Sequence, residues 1–146
     1  MTRRLLRRLF VLTCVSALVA LTPLSAKAQS PEVTITVGAT GTVQSRIVVT
    51  VPVQITCGPL EVGTAQQSAT IEQAAGHEIA QGSGFADQPI VCDGTAQPNT
   101  FTFLADPSGP PFHGGNAAVS IGLFICSPSF VCISGGSGIQ IVKLKG

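Results

Sequence analysis

Between Ile47 and Cys57 every second residue is apolar: Ile47, Val49, Val51, Val53, Ile55 and Cys57 share one face of an extended chain. The other face carries Arg46, Thr50, Gln54 and Thr56, with Val48 and Pro52 as exceptions. A period of two predicts a strand with one buried face. Pro52 cannot donate to a ladder, so an edge position or a bulge is expected there. The same alternation runs through Val33, Ile35 and Val37, through residues 100–104, and through Ala117, Val119, Ile121, Leu123 and Ile125. It is weaker in Ala65, Ala69 and Ile71. Residues 64–75 suit a helix by composition, but Thr70-Ile71 and the flanking glycines favour a strand. Short strands are expected at 79–81 and 88–92, around Gly82 and Gly84. A last strand runs from Ile139 to Lys145, where a change of phase between Ile141 and Val142 predicts a bulge.

Turn-forming clusters separate these runs: residues 38–42, Cys57-Gly58-Pro59, Gly82-Ser83-Gly84, Asp93-Gly94, 106–115 and 134–138. About seven short strands with this punctuation, and no convincing helix, predict an all-β antiparallel sandwich. No second domain, repeat or long linker is expected, so residues 29–146 read as one domain.

The first 28 residues read differently. Arg3, Arg4, Arg7 and Arg8 precede an apolar run from Leu9 to Leu21, and Ala26-Lys27-Ala28 supplies a small-x-small cleavage pattern. This is the layout of an export signal at 1–28, with Gln29 as the mature N-terminus. The apolar run falls short of the roughly 20 residues of a spanning helix. A cleaved, secreted product without a stable membrane anchor is therefore expected. Arg7-Arg8 leaves the general secretory and twin-arginine routes both open. Cys14 lies inside the apolar run and leaves with the signal.

Export changes the electrostatics and the thiol chemistry. Five of the eight basic residues lie in the signal, leaving Arg46, Lys143 and Lys145 against seven carboxylates. Such a chain has no basic patch for phosphates, and nucleic-acid binding is disfavoured. Cys57, Cys92, Cys126 and Cys132 remain, and an even number in an oxidising compartment predicts two disulfides with three possible connectivities. Cys57–Cys92 with Cys126–Cys132 is the preferred pairing, since Ser127-Pro128-Ser129 makes a turn-like linker. A zinc site built from these thiols with His77 and His113 lacks the usual Cys-x2-Cys spacing.

Several stretches carry a family resemblance: residues 51–59 (VPVQITCGP), Gly63-Thr64-Ala65 leading to Ile71-Glu72-Gln73, Ala80-Gln81-Gly82-Ser83-Gly84, residues 92–97 (CDGTAQ) and residues 111–119 (PFHGGNAAV). Together they resemble small exported immunoglobulin-like domains of unknown function in actinobacteria, over roughly residues 32–126. The resemblance implies an immunoglobulin-like β-sandwich, export and a Cys57–Cys92 bridge, and no settled activity. The chain has no Trp, so the core tryptophan of antibody-type domains is absent.

Catalytic and metal chemistry find little footing. Ser83 and Ser137 sit between glycines but outside a strand–elbow–helix context, which makes them turn residues. His77 and His113 are the candidate bases, each in a glycine-rich stretch. A triad of His113, Asp106 and a serine is conceivable, but no spacing asks for it. Asp87, Asp93 and Asp106 are scattered singly, unlike a calcium loop, and Asp93-Gly94 is a turn signal. No cofactor and no catalytic residue is expected.

Phenylalanines carry the remaining signal. Phe101 and Phe103 fall in the core phase. Phe124 falls on the outward phase, and Phe130 lies within the expected Cys126–Cys132 loop. Phe85, Phe112, Phe124 and Phe130 are the candidate contact surface. The absence of Tyr and Trp disfavours a sugar platform or an antibody-like paratope. The expected function is a non-enzymatic exported module contacting an extracellular protein or a cell-envelope component. The alternative is a carrier of a small apolar ligand, on a layout resembling chromoprotein apoproteins. Few charges and many β-branched residues also suggest edge-strand association.

Overall fold

The computed structural model describes residues 32–146; the expected export signal at 1–28 lies outside the described residues. Eight strands follow in order: β1 (Val33–Val37), β2 (Thr40–Gln44), β3 (Val48–Cys57), β4 (Thr64–Ala75), β5 (Glu78–Ala86), β6 (Ala96–Ala105), β7 (Gly115–Cys126) and β8 (Cys132–Lys145). No helix occurs among the described residues.

The expected antiparallel immunoglobulin-like sandwich is corrected. The ladders run β3-β2-β8-β7-β4-β5-β6 and return to β3, closing a ring of seven strands with β1 added on β3. One pairing is parallel: β2 on β8, through Thr40↔Lys143 to Thr42↔Lys145. A sandwich has two separate sheets; here two strands hand over from one neighbour to another and join them. β5 pairs with β4 through Ser83 and with β6 from Gly82 onward. The handover needs glycine. A Cβ on Gly82 would stand 2.6 Å from the Leu104 carbonyl oxygen, and one on Gly84 would stand 2.5 Å from the Phe103 ring. Gly82-Ser83-Gly84 is therefore a corner inside a strand, where the period-two pattern suggested a turn.

β3 makes the second handover. Its edge pairs with β2 through residues 48–50 and with β1 through residues 53–57. Pro52 sits between them and accepts from the Gly38 N–H at 2.8 Å. N–H and C=O of one strand residue point the same way, so the donor that proline lacks would have faced the gap. Residues 38–42, expected to be a turn, are mostly the start of β2. Residues 88–92, expected to be a strand, form a loop with one bridge between Leu60 and Cys92.

The ring encloses a packed core. Phe101, Phe103 and Phe112 are fully buried with Ile55, Ile71, Ile121, Ile125, Val49, Val51, Val119 and Val142. Burying each such side chain stabilises by about 1.5–3 kcal/mol. Phe101 and Phe103 pack with ring centroids 6.3 Å apart. Ile47, assigned by its phase to the core, is 57% exposed. It lies in the β2–β3 turn, where Ser45 and Arg46 adopt positive φ and break the alternation.

The bulge in the last strand also moves. Pairing of β7 with β8 slips between Ser120 and Gly122, opposite Ser137-Gly138 rather than at Ile141-Val142. Gly138 takes a φ of 61°, and the Ser137 Oγ accepts the Ile121 N–H at 3.1 Å in place of a ladder partner. The extra residue reverses the phase, so Ile139 and Ile141 face solvent while Val142 and Leu144 face the core.

Candidate functional site

The two ends of the barrel are built differently. At the end where β3 begins, the loop before β7 folds Phe112 inward as a plug, with no exposed surface. Its N–H donates to the Arg46 carbonyl at 2.9 Å. The buried Gln73 amide holds the next residue from both sides: Nε2 donates to the His113 carbonyl and Oε1 accepts the His113 N–H, each at 2.9 Å. Phe112 is thus a core residue, and its place in the candidate contact surface is corrected. An aromatic beside Pro111 and Gly114-Gly115 read as a loop residue because the hydrogen bonds that turn it inward come from Arg46 and Gln73, far away in the chain.

The opposite end carries both disulfides, in the preferred pairing: Cys57–Cys92 with a Cα–Cα distance of 4.9 Å and Cys126–Cys132 with 4.1 Å. All four thiols are consumed, so the cysteine–histidine zinc set does not exist. The folded chain accordingly belongs in an oxidising compartment. Among the described residues, no helix is long and apolar enough to cross a membrane.

Cys126 and Cys132 are ladder partners at the tip of the β7–β8 hairpin. Between them the loop is held at every step. Ser127 N–H donates to the Val131 carbonyl at 2.9 Å, and Phe130 N–H donates to the Ser127 carbonyl at 3.0 Å. Val131 N–H donates to the Ser127 Oγ at 3.1 Å, and that oxygen lies 2.8 Å from the Ser129 Oγ. Phe130 projects from this frame 90% exposed, with Val131 beside it half exposed. The Phe130 backbone is left-handed, with a φ of 64°. That conformation is uncommon for a bulky residue and costs roughly 1–2 kcal/mol. A rigid frame therefore holds an apolar side chain in water in a strained backbone.

Phe85 and Phe124 also face solvent, about half exposed. Phe124 lies on the outer face of β7 between Gln66 and Ser134, on the strand that leads to the hairpin tip. Phe85 lies on β5 opposite Thr102, on a different part of the wall. No two of Phe85, Phe124 and Phe130 form an aromatic pair among the described residues. Val131, Ile79, Leu104, Ile139 and Ile141 are further exposed apolar residues that sequence reasoning did not single out. Ile139 and Ile141 were hidden by the bulge, which reverses their apparent core phase.

The polar candidates are occupied by the fold. Asp93 accepts from the Thr95 N–H and Oγ and from Gln97. Asp106 accepts from the Ser108 N–H and Oγ. Hydrogen bonds from Thr95 and from Ser108 hold the two carboxyls below the usual aspartate range. Both are turn residues, and Asp106 contacts Ser108 rather than His113. The His113 ring nitrogens lie 2.8 Å from the Gly114 carbonyl and 3.1 Å from the Ala74 carbonyl. His77 lies in the exposed β4–β5 turn. Ser137 Oγ, besides accepting the Ile121 N–H, donates to the Gly138 carbonyl.

The cations among the described residues lie together at the plugged end, which also holds Glu78 and Asp106. Arg46 lies in the β2–β3 turn, and Lys143 and Lys145 lie at the end of β8 remote from Cys132. Glu32, Glu61 and Asp93 lie at the disulfide end, next to β1, β4 and the Cys92 loop. The barrel interior is filled by side chains. A cleft of about 560 Å³ lies outside it over Pro52, Pro98 and Gln54.

Comparison with known proteins finds no matching family model, no matching curated protein and no matching solved structure.

Proposed function

We propose that the chain is an exported, non-enzymatic binding module that contacts an extracellular protein or cell-envelope partner through its hairpin tip. Phe130 carries the reading: a nearly fully exposed phenylalanine in left-handed backbone, on a loop held by a disulfide and by both Ser127 backbone groups. Strain at an exposed residue persists only where the surroundings impose it, and such positions cluster at contact sites. A pre-ordered loop loses little entropy on binding, and a buried aromatic is a common interface anchor. The carboxylates Glu32, Glu61 and Asp93 at the same end of the barrel, and the remoteness of all three cations, favour a partner offering an apolar pocket with a basic rim over an anionic surface.

Replacing Phe130 with Ser tests this. The secreted variant is expected to fold with both disulfides and to lose retention at the surface of the producing cell. Unchanged retention removes the tip from the reading. A small-ligand carrier is the second reading, with the cleft over Pro52 and Pro98 as its site. Native mass spectrometry of the secreted protein separates the two, because a carrier shows an adduct that dissociates on denaturation.

A further inference from the structure

Strands that change neighbours leave edges behind. Stretches that lack a ladder partner on one side among the described residues include the outer side of β1, β8 before Lys143, β6 at 96–100, β5 after Ser83, and β4 at 64–69. The first four of these are covered. β1 lies along β8, with the Val33 carbonyl so close over Gly135 that a Cβ there would collide with it. The loop after β5 covers β6: Asp87 N–H donates to the Thr100 carbonyl at 2.8 Å. The Asn99 side chain accepts the Gln88 N–H and donates to the Gln88 carbonyl. The end of β5 is capped by Gln67, whose Oε1 accepts the Ala86 N–H at 2.9 Å.

The β4 edge at 64–68 has no such cover from a backbone group of a neighbouring loop or strand among the described residues, although the Gln67 side chain reaches across to Ala86. Its residues pair only with β7, and each is exposed. It also lacks the usual protections of an edge. Thr-Ala-Gln-Gln-Ser contains no charge and no proline, and its register with β7 runs without a bulge from Thr64↔Cys126 to Glu72↔Ala118. The strand is firmly seated, since its first residue lies beside the Cys126–Cys132 bridge.

We infer that residues 64–68 pair antiparallel with the same residues of a second copy, about a two-fold axis at Gln66. In that register Thr64 faces Ser68 of the other copy and Gln66 faces Gln66 on one face, Ala65 faces Gln67 on the other, and no pair places like charges together. The nearest carboxylates in sequence, Glu61 and Glu72, lie outside the paired stretch. A two-fold contact uses the same β4 edge in both copies. Association therefore stops at a dimer instead of continuing into a fibre. The sheet then runs unbroken from one barrel into the other, and the dimer does not depend on the Phe130 contact.

The experiment is sedimentation equilibrium of the secreted, oxidised protein across micromolar to millimolar concentration. The wild type is expected to dimerise reversibly. Gln66→Lys places two lysines against each other at the axis and is expected to weaken dimerisation at least tenfold. Phe130→Ser and Ile139→Lys, away from the edge, are expected to dimerise as the wild type. A separate variant, Gln66→Cys, is expected to form a covalent dimer on mild oxidation while its two native disulfides persist. This readout stands even where Gln66→Lys folds poorly. A wild type that is monomeric throughout the range overturns the inference, as does full dimerisation of a folded Gln66→Lys variant. Loss of the dimer in Phe130→Ser also overturns it, by moving self-association to the hairpin tip. Loss of surface retention with the dimer intact bears on the hairpin reading alone.

Discussion

The two disulfides make the same bond in opposite circumstances. Cys57–Cys92 joins residues 35 apart, and both of its cysteines are buried at the end of the core. Cys126–Cys132 joins residues six apart that the β7–β8 ladder already places opposite each other, and Cys132 is exposed. The first has a long loop to restrain in the unfolded chain. The second has a short one, and locally it fixes the shape of an exposed hairpin tip. One bridge serves the fold, and the other serves what the fold presents.

That contrast breaks most sharply if the long bridge is removed. Cys57→Ala with Cys92→Ala is expected to lower stability by about 4 kcal/mol, the loop-entropy value for a closure of this size. Denaturant unfolding at constant m-value measures it. A loss below about 1 kcal/mol would mean that the packed core alone holds that end. Cys126→Ala with Cys132→Ala is expected to cost about 2 kcal/mol at most. Its other consequence is local: limited proteolysis should cut the tip at residues 127–131, with a smaller loss of global stability than removal of the long bridge causes.

Phe130 sharpens the comparison, because there stability and contact should move in opposite directions. Asn tolerates left-handed backbone better than Phe, so Phe130→Asn is expected to raise stability by up to about 1 kcal/mol while reducing surface retention. A variant that is both less stable and fully retained would contradict the strained-anchor account.

The smallest effect separates the ends by pH. Asp93 lies beside the buried bridge, and Asp106 lies at the plugged end. Hydrogen bonds from Thr95 and from Ser108 lower their affinity for protons in the folded chain. Their stabilisation is therefore complete above the unfolded aspartate pKa, about 3.9. It is lost as pH falls below that value through the lower folded pKa. Thermal midpoints measured from about pH 5 down to about pH 2.5 should fall less steeply in Asp93→Asn and Asp106→Asn than in the wild type. Equal slopes would show that the turns do not favour the ionised form.

Much of this molecule was legible along the chain. Alternation locates β1, β3, β4, β6 and β7 because a strand with one face on a core needs an apolar residue at every second position, and that requirement is local. The outward phase of Phe124 follows from the same periodicity, whereas the preferred cysteine pairing rests on the even number of cysteines and on the turn-like Ser127-Pro128-Ser129 linker. The closure of the ring was not legible. It depends on β5 and β3 exchanging partners at Gly82-Ser83-Gly84 and Pro52, where a Gly-Ser-Gly run reads as a turn, and a proline within a strand as an edge or bulge, unless the next ladder is known. The inward turn of Phe112 depends on Gln73 and Arg46, and the outward turn of Ile139 and Ile141 depends on a bulge held by Ser137. The uncovered edge of β4 is likewise a property of neighbours. Local alternation states which face of a strand is apolar, whereas strand neighbours, covered edges and outward-facing anchors are decided where distant segments meet.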